Sequence, residues 1–338
     1  RAGSLVLAAG YGFNLWNFST AAFGLGFLYL SALLLILLYL LIFQKLRFTF
    51  QVGSILKKWQ KKLLDFGIYS MIMAGSFAVM NNISYDQITS IIGSDAMGIF
   101  NTCFFIAVIV EMPRRNMAKV VTPLLSTEFE KKNMVEVRQL YQRSSITMAT
   151  IGSLIVIGII SNLGDLFLFI PKGTSFQTGS WVVVTVCLAK LSLMVSSFPA
   201  EVINYSKYYR LNVIFQVSGM LILIVSNTLL IPKIGINGAA ISYLICIIAQ
   251  VISRLLFVYS KFKLSPFNKK HLVLLSIFLL VGALAMLFKL PFHPMLNIAI
   301  RAFLTIILFT ILVVKLQVSS DINRLIRATF DILQKTIK

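Results

Sequence analysis

One feature constrains this chain above all others: apolar runs, each long enough to cross a bilayer as a helix, recur along it and are separated by short links rich in lysine and arginine. A hydrocarbon core of about 30 Å needs about 20 apolar residues at the helical rise of about 1.5 Å per residue. In lipid, only helices and closed barrels satisfy every backbone N–H and C=O. The runs read as ten spans, near residues 3–21, 23–43, 63–91, 96–126, 144–170, 177–203, 208–231, 234–260, 271–289 and 294–316. With 58% hydrophobic and 12% charged residues over 338 positions, the chain is far too apolar for a soluble domain of its length. The expected fold class is an all-α integral membrane protein with many spans.

Charge distribution tests that map. The chain carries 31 Lys and Arg against 11 Asp and Glu, a net charge of +20. Nucleic-acid binding would require a basic face on a soluble fold, whereas here the basic residues fall between apolar runs. When the links are assigned alternately to two sides, one side collects nearly all of them, from Lys57, Lys58, Lys61 and Lys62 through Lys131, Lys132, Arg254, Lys269 and Lys270 to Arg324. The other side receives Lys172, Lys233 and Lys289. The positive-inside bias then predicts both termini in the cytoplasm, no nucleic-acid partner, and attraction of the basic links to anionic membrane lipids.

Cys103, Cys187 and Cys246 sit inside apolar runs without ligand-like spacing, and His271 and His293 have no Cys or carboxylate cluster beside them. Neither a disulfide framework nor a metal site is expected. There is no phosphate-binding loop and no nucleophile constellation, so no catalytic residue and no cofactor is expected. The sequence starts at Arg1 and runs directly into an apolar stretch, without the layout of a signal peptide. A truncated N-terminus is expected.

Two basic stretches have helical amphipathicity. In VGSILKKWQKK, from Val52, Ile55, Leu56 and Trp59 share one side and the lysines another. Toward the C-terminus, Ile322, Leu325, Ile326, Phe330, Leu333 and Ile337 recur at helical spacing after the cap-like Ser319, Ser320 and Asp321. Both are expected to lie on the membrane surface, with docking against cytoplasmic loops as the alternative.

The stretch LLIPKIGINGAAIS, residues 229–242, stops and restarts an apolar run within a few residues. Pro232 lacks the N–H that would continue the helix, Gly235 tolerates the angles of a tight reversal, and Gly238 with Ala239, Ala240 and Ser242 allows close helix approach. The expected result is a tight outer hairpin. The same string resembles the Pro-x-x-Gly-Ile-x-Gly-Ala-Ala turn in the second lobe of Wzx-type polysaccharide flippases, within the multidrug/oligosaccharidyl-lipid/polysaccharide exporter superfamily. Residues 84–105, SYDQITSIIGSDAMGIFNTCFF, resemble that family's aspartate-containing helix and its restart. Residues 113–144, PRRNMAKVVTPLLSTEFEKKNMVEVRQLYQRS, resemble its cytoplasmic link with a proline and a short charged helix.

The resemblance covers roughly residues 60–260. It implies a polytopic helical transporter with opposed six-helix lobes and an added C-terminal hairpin. By that comparison residues 1–45 are the last two helices of the first lobe, 46–62 a basic amphipathic cytoplasmic linker, 63–260 a six-helix second lobe, 261–316 the added hairpin and 317–338 a cytoplasmic amphipathic tail. It also implies a lipid-linked oligosaccharide as substrate, held by its pyrophosphate in a basic cavity, a bacterial cytoplasmic membrane location, and polysaccharide assembly proteins as partners. Coupling to H+ or Na+ stays open.

Lys190 is the sharpest substrate-binding candidate. It lies near the centre of WVVVTVCLAKLSLMVSSFPA, too deep for easy snorkelling, so it must face a cavity or an acid. Arg301 is the second, on a stripe with Asn297 and Thr305, although it is near enough to Pro294 to snorkel. Asp86, among Asn81, Asn82 and Ser84, is a third candidate, for a coupling cation or for Lys190. Glu111, with Arg114 and Arg115 at i+3 and i+4, forms helix-surface pairs and is a candidate cytoplasmic gate. The leading function is an undecaprenyl-diphosphate oligosaccharide flippase working by alternating access. One alternative is a multidrug/cation antiporter of the same superfamily. The other is a membrane glycosyltransferase or polymerase on the same lipid-linked sugars, which the short, acid-poor external links disfavour.

Overall fold

The computed structural model describes residues 27, 30, 31, 34, 35, 38 and 39, then 52–168, 173–287 and 293–326, with the backbone alone for 52–63, 66 and 174. The expected span at 3–21 lies outside the described residues, and that at 23–43 is described only at isolated helical positions. The chain divides into two compact units, Arg1–Phe66 and Gly67–Lys338. Everything below concerns the second unit, apart from the start of the first long helix.

The described residues contain no strand. Helix α1 (Val52–Ile91) is followed by α2 (Ser94–Val108), a 3-10 turn (Ile109–Glu111), α3 (Met112–Glu130) and α4 (Met134–Ser161). Short helices α5 (Leu163–Leu168) and α6 (Gly173–Phe176) precede α7 (Ser180–Ser196) and α8 (Pro199–Asn204). The series ends with α9 (Tyr209–Ile234), α10 (Ile236–Phe262), α11 (Lys269–Leu287) and α12 (Pro294–Lys315).

Among the described residues, 7 helical segments are long and apolar enough to cross a membrane. They begin at Ser94, Met134, Gln177, Tyr209, Ile236, Lys269 and Pro294, in step with the last seven spans read from the sequence. The chain has an all-α, multi-pass integral membrane fold. Helix α1 covers the stretch read from the sequence as the span near residues 63–91. It runs unbroken for 40 residues.

Helix α7 is the centre of the packing, against α2, α4 and α10. Its Val182, Val183, Val186 and Ala189 meet Phe100, Cys103 and Ala107 of α2 and Ala239, Ala240 and Cys246 of α10 in one buried cluster. In lipid such association rests on close packing rather than on a hydrophobic drive, which is why small residues recur at the contacts. The α11–α12 hairpin docks on α4 through Leu274, Ile277, Val281, Phe309 and Val313 against Ile146 and Ile157.

The expected outer hairpin is tighter than the sequence suggests. Pro232 lies inside the last turn of α9, where its missing N–H leaves the Thr228 carbonyl without that helical partner. The reversal turns on Gly235 alone, whose φ of +62° is the left-handed geometry that glycine adopts freely. A Cβ at Gly238 would stand 2.4 Å from the Leu230 carbonyl oxygen, so the restart of α10 touches the backbone of α9.

The tail also departs from expectation at its start. Ser319 is fully buried, its hydroxyl 3.0 Å from that of Thr147 on α4, and Asp321 pairs with Arg143. Its first turn therefore docks on the bundle instead of lying free on the membrane surface. Phe330, Leu333 and Ile337 lie outside the described residues.

Candidate functional site: a cationic cavity beside α7

The site begins with a helix fault. Pro113 has no N–H to give the Ile109 carbonyl, so the Met112 N–H bonds that oxygen instead and the chain tightens to a 3-10 turn over Ile109–Glu111. The fault sets Glu111 facing the middle of α7. Lys190 Nζ donates to Glu111 Oε2 at 2.6 Å, with the two side chains 6% and 12% exposed. Arg115, one helical turn on, approaches the same oxygen at 3.6 Å from a mostly exposed position.

The ammonium of Lys190 also lies 5.7 Å from the Phe104 ring centre and 5.2 Å from that of Tyr243. Taking an ammonium out of water costs several kcal/mol, and a carboxylate at hydrogen-bond distance with two aromatic faces offsets that cost.

Arg114 is held differently. Its Nε donates to the Ser197 carbonyl at 3.1 Å, its Nη2 reaches Glu201 Oε1 at 3.4 Å, and its guanidinium stands over Phe198. Ser197 ends α7 with φ +64° and is fully buried, its hydroxyl 2.7 Å from that of Ser144. Left-handed backbone at a non-glycine residue is strained, and Arg114 braces the break from α3.

Opposite them, Arg254 projects from α10 and is buried. Its Nε donates to Asn212 Oδ1 and its Nη2 to Gln216 Oε1, both at 2.9 Å. Asn212 and Gln216 are one helical turn apart on α9, a spacing that matches the fork of a guanidinium. No carboxylate pairs with Arg254 among the described residues.

These residues line one cavity of about 460 Å³, together with Met80 and Asn81 of α1, Tyr243 and Gln250. Its ionisable lining is Arg114, Arg115, Lys190 and Arg254 against Glu111 and Glu201, an excess of positive charge. A volume in this range suits a small headgroup. The planar guanidinium fork and the compact ammonium are the two groups that bind phosphate oxygens most readily.

The structure thus brings Lys190, Glu111, Arg114 and Arg115 together and leaves two sequence candidates elsewhere. Asp86 is exposed on α1 and does not line the cavity; Lys190 is paired with Glu111 instead. Arg301 is buried, not snorkelled: its Nη1 donates to the Ser161 carbonyl at 2.7 Å, to Asn162 Oδ1 at 3.4 Å and to Asp165 Oδ2 at 3.1 Å. It clasps α12 to the end of α4 and to α5. Arg254, grouped from its sequence position with the basic links, is a cavity residue eight positions before the end of α10. A signal existed: Tyr243, Ile247, Gln250 and Arg254 share one helical face, as Asn212 and Gln216 do on the preceding helix.

No protein-family model and no curated protein matches the chain. Among solved structures it is similar to a lipid II flippase, MurJ, in an inward closed conformation, with a TM-score of 0.60 and 16% identity. The match covers 93% of this chain and 65% of that one, so the chain spans just under two thirds of the length of the protein it resembles. At this identity the likeness is one of fold: a multi-pass helical bundle carries the cavity described above.

Proposed function

We propose that the chain belongs to a flippase that carries an undecaprenyl-diphosphate-linked oligosaccharide from the inner to the outer leaflet of a bacterial cytoplasmic membrane, for cell-surface polysaccharide synthesis, as Wzx-type proteins do. One observation carries this reading: a cavity with excess positive charge, built from Lys190 and Arg254, inside a fold shared with a lipid flippase. On this reading residues 63–260 are one lobe, 1–45 the end of the other, 46–62 their cytoplasmic linker, 261–316 an added hairpin and 317–338 a cytoplasmic tail. Both termini face the cytoplasm.

Glu111 gives the site its empty-state counterion. Its carboxylate stands beside Lys190 where a phosphate oxygen of the substrate would sit. Entry of the diphosphate exchanges one anionic partner for another, so Lys190 never loses its counter-charge inside the bilayer. Arg254, held by neutral amides, keeps its full charge for the same headgroup. The lobes then rock about the loaded cavity while the lipid tail stays in the bilayer. A multidrug/cation antiporter of the same superfamily fits less well, because excess positive charge repels an organic cation.

The test is leaflet transfer of a fluorescent undecaprenyl-diphosphate sugar by the full chain in proteoliposomes. Transfer that falls with Lys190→Ala and recovers in part with Lys190→Arg supports the reading. Normal transfer by Lys190→Ala refutes the role of Lys190, and hydrolysis or extension of the sugar moves the protein to the enzyme class.

A further inference from the structure

Helices α7 and α10 separate two spaces. One face of the pair looks into the cationic cavity, through Lys190 and Leu193 of α7 and Ile247 and Arg254 of α10. The other carries a groove of about 460 Å³, also lined from α10 by Val251 and Leu255. Leu188, Leu191 and Val195 form one wall, Ile248 and Ile252 the other, and Phe267 also lines it. Leu188, Ile248, Ile252 and Phe267 are each about 40 to 50% exposed. Both walls are membrane-crossing helices, so the groove opens to the hydrocarbon.

The surroundings of Phe267 are fixed. The Phe267 ring packs edge-on against His271, His271 Nε2 lies 3.0 Å from the Ser145 hydroxyl, and that hydroxyl donates to the Val195 carbonyl at 2.6 Å. The connection from α10 to α11 is fixed on α4 by Arg138, which donates to the Lys263 carbonyl, and by Gln142, which donates to that of Ser265. This connection carries Lys261, Lys263, Lys269 and Lys270, all exposed, and no carboxylate. Lys261 stands over Tyr208 and Lys263 over Tyr259. Lys269 and Lys270 open α11 directly after Phe267 and have no side-chain partner among the described residues.

An apolar slot lined by Phe267, with two exposed lysines two and three positions further along the chain, has the chemistry of an anionic lipid site. We infer that this groove is a binding site for an anionic phospholipid, with one acyl chain along α7 and α10 and its phosphate at Lys269 and Lys270. The hydrocarbon chain replaces looser bilayer contacts, and the two ammonium groups select the headgroup charge. This site is separate from the cavity proposed for transport and does not depend on that function.

The test uses the full chain in vesicles of phosphatidylcholine doped with phosphatidylglycerol bearing a photoreactive diazirine on one acyl chain, followed by peptide mapping. Phosphatidylcholine with the same labelled chain is the control. The expected result is labelling of the peptides around residues 188–195 and 248–255 by phosphatidylglycerol well above the control. Lys269→Gln with Lys270→Gln, both exposed and safe for folding, should lower that labelling by about fivefold per lysine. Ser192→Phe, which fills the slot, should abolish labelling by both lipids there. Equal labelling by the two lipids, or indifference to the lysine changes, overturns headgroup recognition. No labelling by either lipid means that a second copy or another protein covers the groove, and overturns the site.

Discussion

Lys190 Nζ of α7 and Glu111 Oε2 of the 3-10 turn before α3 are 2.6 Å apart, a buried ion pair that ties the central helix of the bundle to a proline-made fault in its neighbour. The pair joins segments 79 positions apart in sequence.

Breaking this pair from one side should cost more than removing it whole. Glu111→Gln leaves a buried ammonium without its counter-charge, and such losses run to about 3 to 5 kcal/mol. Lys190→Met should destabilise similarly, and the double variant should regain part of the loss. Thermal unfolding in detergent measures all three. Additive losses in the double variant would show that the two charges do not interact.

Arg254→Lys keeps the charge and loses the fork. A lysine cannot donate to Asn212 and Gln216 together in this geometry. Binding of undecaprenyl diphosphate to the purified protein should weaken by about 1.5 to 3 kcal/mol, the range of one charged hydrogen bond. Unchanged affinity, measured by calorimetry, would take Arg254 out of the headgroup site.

Arg301→Met should act on stability alone. The arginine clasps Ser161, Asn162 and Asp165 away from the cavity, and leaving Asp165 without it costs up to about 3 to 5 kcal/mol. The melting temperature should fall while sugar-lipid transfer per folded molecule holds. A loss of transfer at unchanged stability would return Arg301 to the transport path.

The Arg143–Asp321 pair should matter far less. Its side chains are 44% and 27% exposed, and pairs in such settings contribute about 0 to 1 kcal/mol. Asp321→Asn should unfold within a degree or so of the parent, whereas Ser319→Val, at a fully buried hydroxyl facing Thr147, should unfold about 1 to 3 kcal/mol earlier.

Single cysteines at Lys132 and Lys233, in a background with Cys103, Cys187 and Cys246 replaced, should react with an impermeant maleimide from opposite faces of the membrane. The loop charge bias predicts Lys132 inside and Lys233 outside. Labelling of both from one face would overturn the alternation.

The spans from Ser94 onward were legible because a bilayer imposes a length and a polarity that any sequence must display. Lys190 was legible for the same reason: a charge in the middle of an apolar run has to be satisfied by something. Its partner was not. Glu111 sits next to Arg114 and Arg115 in sequence and reads as an interface charge, and only the tightened turn before Pro113 aims it at α7. Arg254 was misplaced because it lies close to the end of its span, where basic residues commonly mark the inner side. The amides that hold it are 42 and 38 positions away.

By itself the sequence determined that this chain crosses the membrane repeatedly as helices, where most of those helices lie, and that the stretch from Pro232 to Asn237 separates two of them. The tertiary structure alone decided which charges share a space. Periodicity and hydropathy report what each residue needs from its surroundings, but the identity of the group that meets the need depends on how distant helices are rotated against one another. Lys190, Glu111 and Arg254 face one cavity, and Arg301 faces another part of the bundle, because packing around α7 set those rotations.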